Sequence, residues 1–254
     1  MTTAPGIFVV GTDTGVGKTR VAASLIRGLR GEGRRVGAIK PVATGGERLG
    51  DAWIWGDAEI LIAALGGGIA RERVCPIVFE EPLAPPVAAR RAGRLLGRDE
   101  VFGATFDALA WWSERAEAIV IEGVGGLLCP LAEGCTVVDL AVALDYPLLI
   151  VGRRALGTLN HTLLTVEAAA RRGLRIAGVV LNGAEPTIDP VVESTNSDEL
   201  ARRLDGVGVW PSIAHGSDLL EACRFSASGD AWYSRLCTPR NRVESSASAE
   251  GPHR

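Results

Sequence analysis

Residues Gly11 to Thr19 read GTDTGVGKT, and they stand between an apolar run, Ile7-Phe8-Val9-Val10, and a segment of helical character, Val21-Ala22-Ala23-Ser24-Leu25-Ile26. A strand, a glycine-rich loop ending in Gly-Lys-Thr and a helix form the setting that a phosphate-binding loop requires. Glycines let the backbone turn so that successive N–H groups point at phosphate oxygens, and the helix N-terminus adds its positive end. Lys18 then reaches the β- and γ-phosphates, while Thr19 offers a hydroxyl to Mg2+. The spacing between Gly11 and Gly17 is one residue longer than in the common form of this loop. A ligand-free glycine turn is the plainer alternative. The Gly-Lys-Thr ending with both flanks in place argues against it.

Such a loop needs a sheet behind it, and the rest of the chain supplies one. Short apolar runs recur at Val36–Ile39, Ile119–Ile121, Leu148–Val151, Ile176–Leu181 and, more weakly, Val207–Trp210. Runs apolar at nearly every position suit strands buried on both faces, and their alternation with helices indicates a parallel sheet. Helices are expected near 17–31, 57–65, 99–117, 158–172 and 194–204, the last capped by Ser194 or Thr195. The segment Glu80–Pro86, with three prolines, is expected to be a loop. The fold class is therefore α/β, a P-loop NTPase with a doubly wound, mostly parallel sheet and helices on both faces. One domain is expected over residues 1–237, and the Arg-, Ser- and Glu-rich tail from 238 to 254 is expected to be disordered.

Composition narrows the partners. The chain of 254 residues has a net charge of −3 and a pI near 5.7, which gives no electrostatic case for nucleic acid. No apolar stretch reaches membrane-spanning length without a charge or turn residue, and no signal peptide is evident. Five cysteines, Cys75, Cys129, Cys135, Cys223 and Cys237, show no CxxC spacing. A reduced, cytoplasmic protein fits best. Paired arginines at 34–35, 90–91 and 171–172 read as solvated helix ends.

In an open parallel sheet, ligands bind beyond the carboxyl ends of the strands. The second exit carries Lys40-Pro41-Val42-Ala43-Thr44-Gly45-Gly46. Lys18 and Lys40 are the only lysines, against 25 arginines, so each stands where a compact ammonium suits the chemistry better than a guanidinium. A solvated strand end is the bland reading of Lys40; placement against a phosphoryl group or a carbamate is the functional one. The third exit reads Glu122-Gly123-Val124-Gly125-Gly126. A carboxylate at the end of a buried strand commonly serves the nucleotide's metal, and glycines after it let backbone approach phosphate closely. Thr19, Glu122 and one more carboxylate would suffice for Mg2+. Asp57 is the candidate, although on its own it reads as a helix N-cap. After Leu148–Val151 the chain runs Gly152-Arg153-Arg154-Ala155-Leu156-Gly157-Thr158-Leu159-Asn160-His161, where N–H groups at a helix start suit a carboxylate. His161 there reads as a packed or hydrogen-bonded histidine rather than a base. Asn182 and Pro211 sit where a nucleotide base is within reach.

Taken together these residues resemble the dethiobiotin synthetase family, ATP-dependent ring-closing enzymes of biotin synthesis. The resemblance covers roughly residues 6–215, through GTDTGVGKT, KPVATG at 40–45, GDAE at 56–59, the EEPLAPP loop, IEGVGG at 121–126, LGTLNH at 156–161 and the strand ending at Asn182. It implies a homodimer whose substrates are a diamine, 7,8-diaminononanoate, carbon dioxide or bicarbonate, and ATP with Mg2+. One amine captures carbon dioxide as a carbamate, the γ-phosphoryl group moves to the carbamate oxygen, and the second amine closes a urea ring. Carried over by position, Lys18 and Lys40 would stabilise the migrating phosphoryl group. Asp13, Thr14, Gly15, Val16, Gly17, Thr19 and Gly125 would surround the nucleotide, and Asn182 and Pro211 would contact its adenine. Thr19, Asp57 and Glu122 would hold the metal. Thr14, Lys40 and Thr44 would lie beside the diamine and carbamate, with Gly157, Thr158 and Asn160 taking the substrate carboxylate across the dimer interface.

Three departures from the family pattern stand out: Gly15 where some members carry glutamate, Val124 where alanine is usual, and an apparent extra residue at 152–156. Three other readings compete. Partitioning and cell-division ATPases carry a second loop lysine at the position of Asp13. Amide ligases of the cobyrinate-diamide type need a glutaminase domain, for which too little chain follows residue 215. A catalytically weak nucleotide-binding regulator is the third.

Overall fold

The apolar runs become strands because nearly every side chain in them is buried. Phe8, Val9, Ile119, Ile121, Leu148, Leu149, Ile150 and Val151 are all fully enclosed, which a strand tolerates only when covered on both faces. The computed structural model describes residues 4–183 and 190–217. The tail from 238, Cys223 and Cys237 lie outside the described residues.

The chain enters as β1 (Gly6–Gly11), α1 (Lys18–Gly31) and β2 (Val36–Ile39). An excursion follows with β3 (Val42–Thr44), the hairpin strands β4 (Glu47–Leu49) and β5 (Ala52–Ile54), and α2 (Gly56–Ala64). It continues through α3 (Arg71–Val74), β6 (Ile77–Phe79) and α4 (Pro85–Arg91). Next come α5 (Arg98–Ser113), β7 (Ala118–Gly126), the small strands β8 (Pro130–Ala132) and β9 (Cys135–Thr136), and α6 (Val137–Leu144). The last described elements are β10 (Leu148–Arg153), α7 (Thr158–Arg171), β11 (Ile176–Asn182) and α8 (Pro190–Arg203).

The main sheet runs β11-β10-β1-β7-β2, with every neighbouring pair parallel. This is the doubly wound, mostly parallel sheet expected. Because β7 lies between β1 and β2, the second strand exit is not beside the phosphate loop but one strand away. The carboxyl ends of all five strands share one edge, and β1 stands in the middle of it. The chain crosses from the β7 side to the β10 side after α6, so the loop leaving β1 lies at the switch point where such sheets bind ligands.

Several expectations are corrected. Pro85 and Pro86 do not extend a loop; they open α4, where a missing N–H costs nothing because first-turn donors have no intrahelical acceptor. α8 begins at Pro190, not at Ser194 or Thr195, and the Thr195 hydroxyl bonds back to the Val191 carbonyl within the helix at 2.6 Å. α5 ends at Ser113, short of 117. The run at 207–210 forms only isolated parallel bridges, Val179 with Val209 and, further on, Asn182 with Ile213. β7 runs on through Gly126 instead of stopping at Ile121.

α6 is fastened by one carboxylate. Asp139 Oδ2 accepts the Thr136 N–H at 2.8 Å and the Thr136 hydroxyl at 2.7 Å, while Oδ1 accepts from Arg172 at 2.5 Å. Burial raises the Asp139 pKa, but these donors outweigh it and hold the group at about 2, below its ordinary 3.8. A depressed carboxylate stabilises the fold fully above its unfolded pKa and loses that contribution as pH falls through the folded one. Asp139→Asn should therefore destabilise by ~1–2 kcal/mol at neutral pH. In urea melts the gap to the parent should narrow as pH falls from 3.8 towards about 2. A gap that is absent at pH 7, or constant with pH, would contradict this fastening.

Candidate active site

At the exit of β1, Gly17 caps α1 in the left-handed region at φ 91°. A Cβ there would lie 2.0 Å from Asn182 Nδ2, so glycine is required both by conformation and by space. Lys18 is buried, and its Nζ donates to the Asp13 carbonyl at 3.1 Å. Burial lowers its pKa, and the nearby Lys40 charge adds to the drop while Glu122 opposes it. The loop carbonyls at Thr14 and Val16 are taken by side chains from neighbouring strands, Arg153 at 3.0 Å and Asn182 at 3.0 Å.

Lys40 follows β2 and its side chain is only 3% exposed. Its Nζ lies 2.7 Å from Glu122 Oε1 and 2.8 Å from Asp57 Oδ2. The bland reading, a solvated strand end, is thereby excluded. Burial alone would strip the proton from Lys40, but the charges of Glu122 and Asp57 outweigh it and raise its pKa above the ordinary lysine value. Burial pushes the Glu122 carboxyl up, with Lys40 pulling against it. For the more exposed Asp57 the order reverses: burial raises it, but Lys40 and the Thr19 hydroxyl bring it below the ordinary value. Asp57 is not the N-cap of α2, a place held by Trp55; it sits in the first turn and turns its carboxylate to Lys40 and Thr19.

Thr19 Oγ1 lies 2.8 Å from Asp57 Oδ1 and 2.8 Å from Glu122 Oε1. A hydroxyl has one proton to donate, so one of these oxygen pairs has none between it. Glu122 Oε2 is buried with no partner among the described residues. Two carboxylates and a hydroxyl facing one another, short of a proton and with one lone-pair-bearing oxygen unmatched, fit a hard divalent cation such as Mg2+. The three expected metal ligands are thus brought together.

Opposite them β7 bulges. Val9 registers with Glu122 and Gly11 with Gly126, so the Gly123–Gly125 stretch arches beside the loop. Gly125 sits at φ 59°, and a Cβ there would lie 2.7 Å from Cys129 Sγ and 3.6 Å from Thr14 Oγ1. Thr14 and Gly125 thus lie near each other. The Cys129 thiol beside them has its pKa raised by burial, with Lys18 opposing. Val124 is half-buried against the core, and the Gly15 position is open space.

The remaining candidates divide. Thr44 ends β3, half-buried, beyond the Lys40 cluster. Gly157 caps α7 in the left-handed region at φ 89°, and Gly157 and Asn160 are exposed. Thr158 differs: its hydroxyl is buried, facing Gly152, with no partner among the described residues. His161 is exposed, not packed. Asn182 is buried with its Oδ1 unmatched. Pro211 is exposed and belongs to the segment that bonds along β11 through Trp210 N–H to Val179 O and Ile213 N–H to Leu181 O, 2.8 Å each. Arg153, which contacts the loop at Thr14 and lies 3.5 Å from Asp13 Oδ2, was not singled out by sequence. In a chain with 25 arginines its residue type carried no signal; its place directly after Gly152 at a strand exit was the available one.

The chain is similar to proteins already known. A family described as an AAA domain matches residues 5–215. The ATP-dependent dethiobiotin synthetase BioD of Anaeromyxobacter dehalogenans (strain 2CP-C) is 50% identical over 197 residues, 78% of this chain and 84% of that protein. The protein of the same name from Bacillus licheniformis is 40% identical over 220 residues, 84% of this chain and 88% of that one. Among solved structures, the cell division protein ftsY of Thermotoga maritima aligns with a TM-score of 0.48 and 17% identity, covering 83% of this chain and 62% of that one.

The Gly17 geometry sets a test of the loop itself. Gly17→Ala should weaken nucleotide binding by at least about tenfold in a calorimetric titration, because the loop must shift to clear Asn182. Adding Asn182→Ala should recover only part of the loss, since the backbone at 17 stays left-handed. Full binding by Gly17→Ala would contradict the loop geometry.

Proposed function

The chain belongs to the ATP-dependent dethiobiotin synthetase family, and on that premise we propose that its strand-exit site converts 7,8-diaminononanoate, carbon dioxide and ATP to dethiobiotin, ADP and phosphate. The protein is an ATP-dependent cyclo-ligase of biotin biosynthesis built on a P-loop. The observation that carries the residue assignment is the buried Lys40 ammonium, held between Glu122 and Asp57 one strand from the loop. The partitioning-type ATPase reading is disfavoured, since Asp13 stands where its second lysine would be.

The reaction asks little covalent chemistry of the protein. One amine attacks carbon dioxide, forming an N–C bond and losing a proton. The carbamate oxygen attacks the γ-phosphorus, and the bond to the ADP oxygen breaks. The second amine then attacks the carbonyl carbon of the mixed anhydride, phosphate leaves, and the ring is closed. Positioning and charge supply the rate. Lys18, the ammonium at the end of the loop, would meet the β- and γ-phosphates. Lys40, whose pKa is raised, keeps its proton at neutral pH and acts through charge, not as a base. It stabilises the oxygens that pass between phosphate and carbamate. Thr19, Asp57 and Glu122 would hold Mg2+, which when bound neutralises charge on the phosphate oxygens. Thr14 and Thr44 would orient the diamine and carbamate, and Asn182 and Pro211 would read the adenine.

Gly157 and Asn160, exposed at the start of α7, would receive the substrate carboxylate from a second subunit. Leu156 beside them, 89% exposed, supports a covered surface there in a homodimer. No described helix is long and apolar enough to cross a membrane. The place of action we infer is the cytoplasm, with no nucleic-acid or membrane partner.

Purified protein should release phosphate from ATP only when diamine and bicarbonate are both present. Rapid hydrolysis with ATP alone would contradict the assignment. Lys40→Arg tests the ammonium itself, since a planar guanidinium cannot occupy the same buried slot. Its kcat should fall by about 100-fold or more while ATP binds within about threefold of the parent. Retained turnover would remove Lys40 from the reaction.

A further inference from the structure

We propose that Arg153 is a positioning residue of the phosphate loop, holding the Asp13–Thr14 corner from outside so that the loop keeps the turn in which it receives the nucleotide. This rests on the loop binding ATP and not on the identity of the second substrate.

Side-chain donors on the carbonyls of a phosphate loop fix its turn, whether the acceptor is exposed, as at Thr14, or buried, as at Val16. Three of these carbonyls have side-chain donors here. Asp13 O accepts from Lys18 Nζ at 3.1 Å, Thr14 O from Arg153 Nη2 at 3.0 Å, and Val16 O from Asn182 Nδ2 at 3.0 Å. Lys18 belongs to the loop and is drawn to phosphate when ATP arrives, so its hold on Asp13 is the one that gives way. Arg153 and Asn182 come from β10 and β11, where they are register partners. Neither has to move for phosphate to enter.

Arg153 has a second grip. Its Nη2 lies 3.5 Å from Asp13 Oδ2, while Asp13 Oδ1 accepts the Thr14 N–H at 2.7 Å. One terminal nitrogen of the guanidinium therefore lies near both a carbonyl and a carboxylate on consecutive residues, a pairing that an ammonium of sufficient reach can also make. The anchor behind it is firm: β10 pairs with β1 in register, Val151 with Gly11, and Thr12 N–H bonds to Val151 O at 2.9 Å. Arg153 stands two residues further along the same strand. Its side chain is 44% exposed, so the ion pair with Asp13 contributes little to folding. Its effect is preorganisation of the loop, which is felt in binding.

The test uses the whole chain and a non-hydrolysable ATP analogue with Mg2+. Arg153→Ala should weaken binding by about tenfold, and Arg153→Lys, which can still reach the Thr14 carbonyl, should return it to within about threefold of the parent. The KM for ATP should rise in parallel with Kd while kcat falls by less than about threefold. The nucleotide-free melting temperature should move by less than about 2 °C. Binding by Arg153→Ala within about twofold of the parent would overturn the proposal. So would a large loss of kcat at unchanged Kd, which would place the guanidinium on the reacting atoms. Equal losses in binding and melting temperature for both variants would also overturn it, by making the role structural.

Discussion

Everything at the sheet edge is arranged around one buried ammonium. Lys40 Nζ sits within hydrogen-bonding distance of Glu122 and Asp57, and Thr19 touches both carboxylates. Taking an ammonium and a carboxylate out of water is costly, and their mutual attraction offsets that cost only in close geometry. The sheet order dictates how this is met. β7 lies beside β2 with Ile39 opposite Ile121, so the residue leaving β2 stands next to the β7 carboxylate and must also reach Asp57 in α2. Lysine supplies the length and concentrates its charge at the end. Arginine, the commoner cation of this chain, would carry a broader head to a position where the lysine side chain is only 3% exposed.

The phosphate loop is the complementary half. Its turn requires a left-handed Gly17, and two of its carbonyls take donors from Arg153 and Asn182. The two halves meet at Thr19, the first-turn residue of α1 whose hydroxyl lies between the carboxylates. A change on either side is therefore transmitted to the other through side chains already in contact.

Much of this was legible from sequence because it is local. The loop, its strand and its helix are contiguous, and the five buried strands announce themselves as uninterrupted apolar runs. Lys40 and Glu122 could be assigned because strand exits in a parallel sheet converge. What escaped reading either carried no apolar pattern, had an ambiguous local signal, or depends on contacts distant in sequence. The β4–β5 hairpin has exposed faces with no apolar alternation to reveal it. Pro85 and Pro86 looked like breakers and proved to be a helix start, because proline excludes a helix interior but not its first turn. Asp57 read alone as a cap, and only Lys40 and Thr19, far away in the chain, explain its orientation. Asn182 was read as an adenine contact; the structure sets its amide against the phosphate loop at Val16 O, a bond that depends on a register no single sequence displays.

A double-mutant cycle on the buried pair measures the central interaction directly. Lys40→Met leaves Glu122 uncompensated and should cost ~3–5 kcal/mol in denaturant unfolding of the ligand-free protein, while Lys40→Met with Glu122→Gln should cost much less than the two single changes summed. A coupling of about 2 kcal/mol or more is the result expected of an ammonium that holds the site together. Additive losses, with coupling below about 0.5 kcal/mol, would show that Lys40 and Glu122 do not depend on each other.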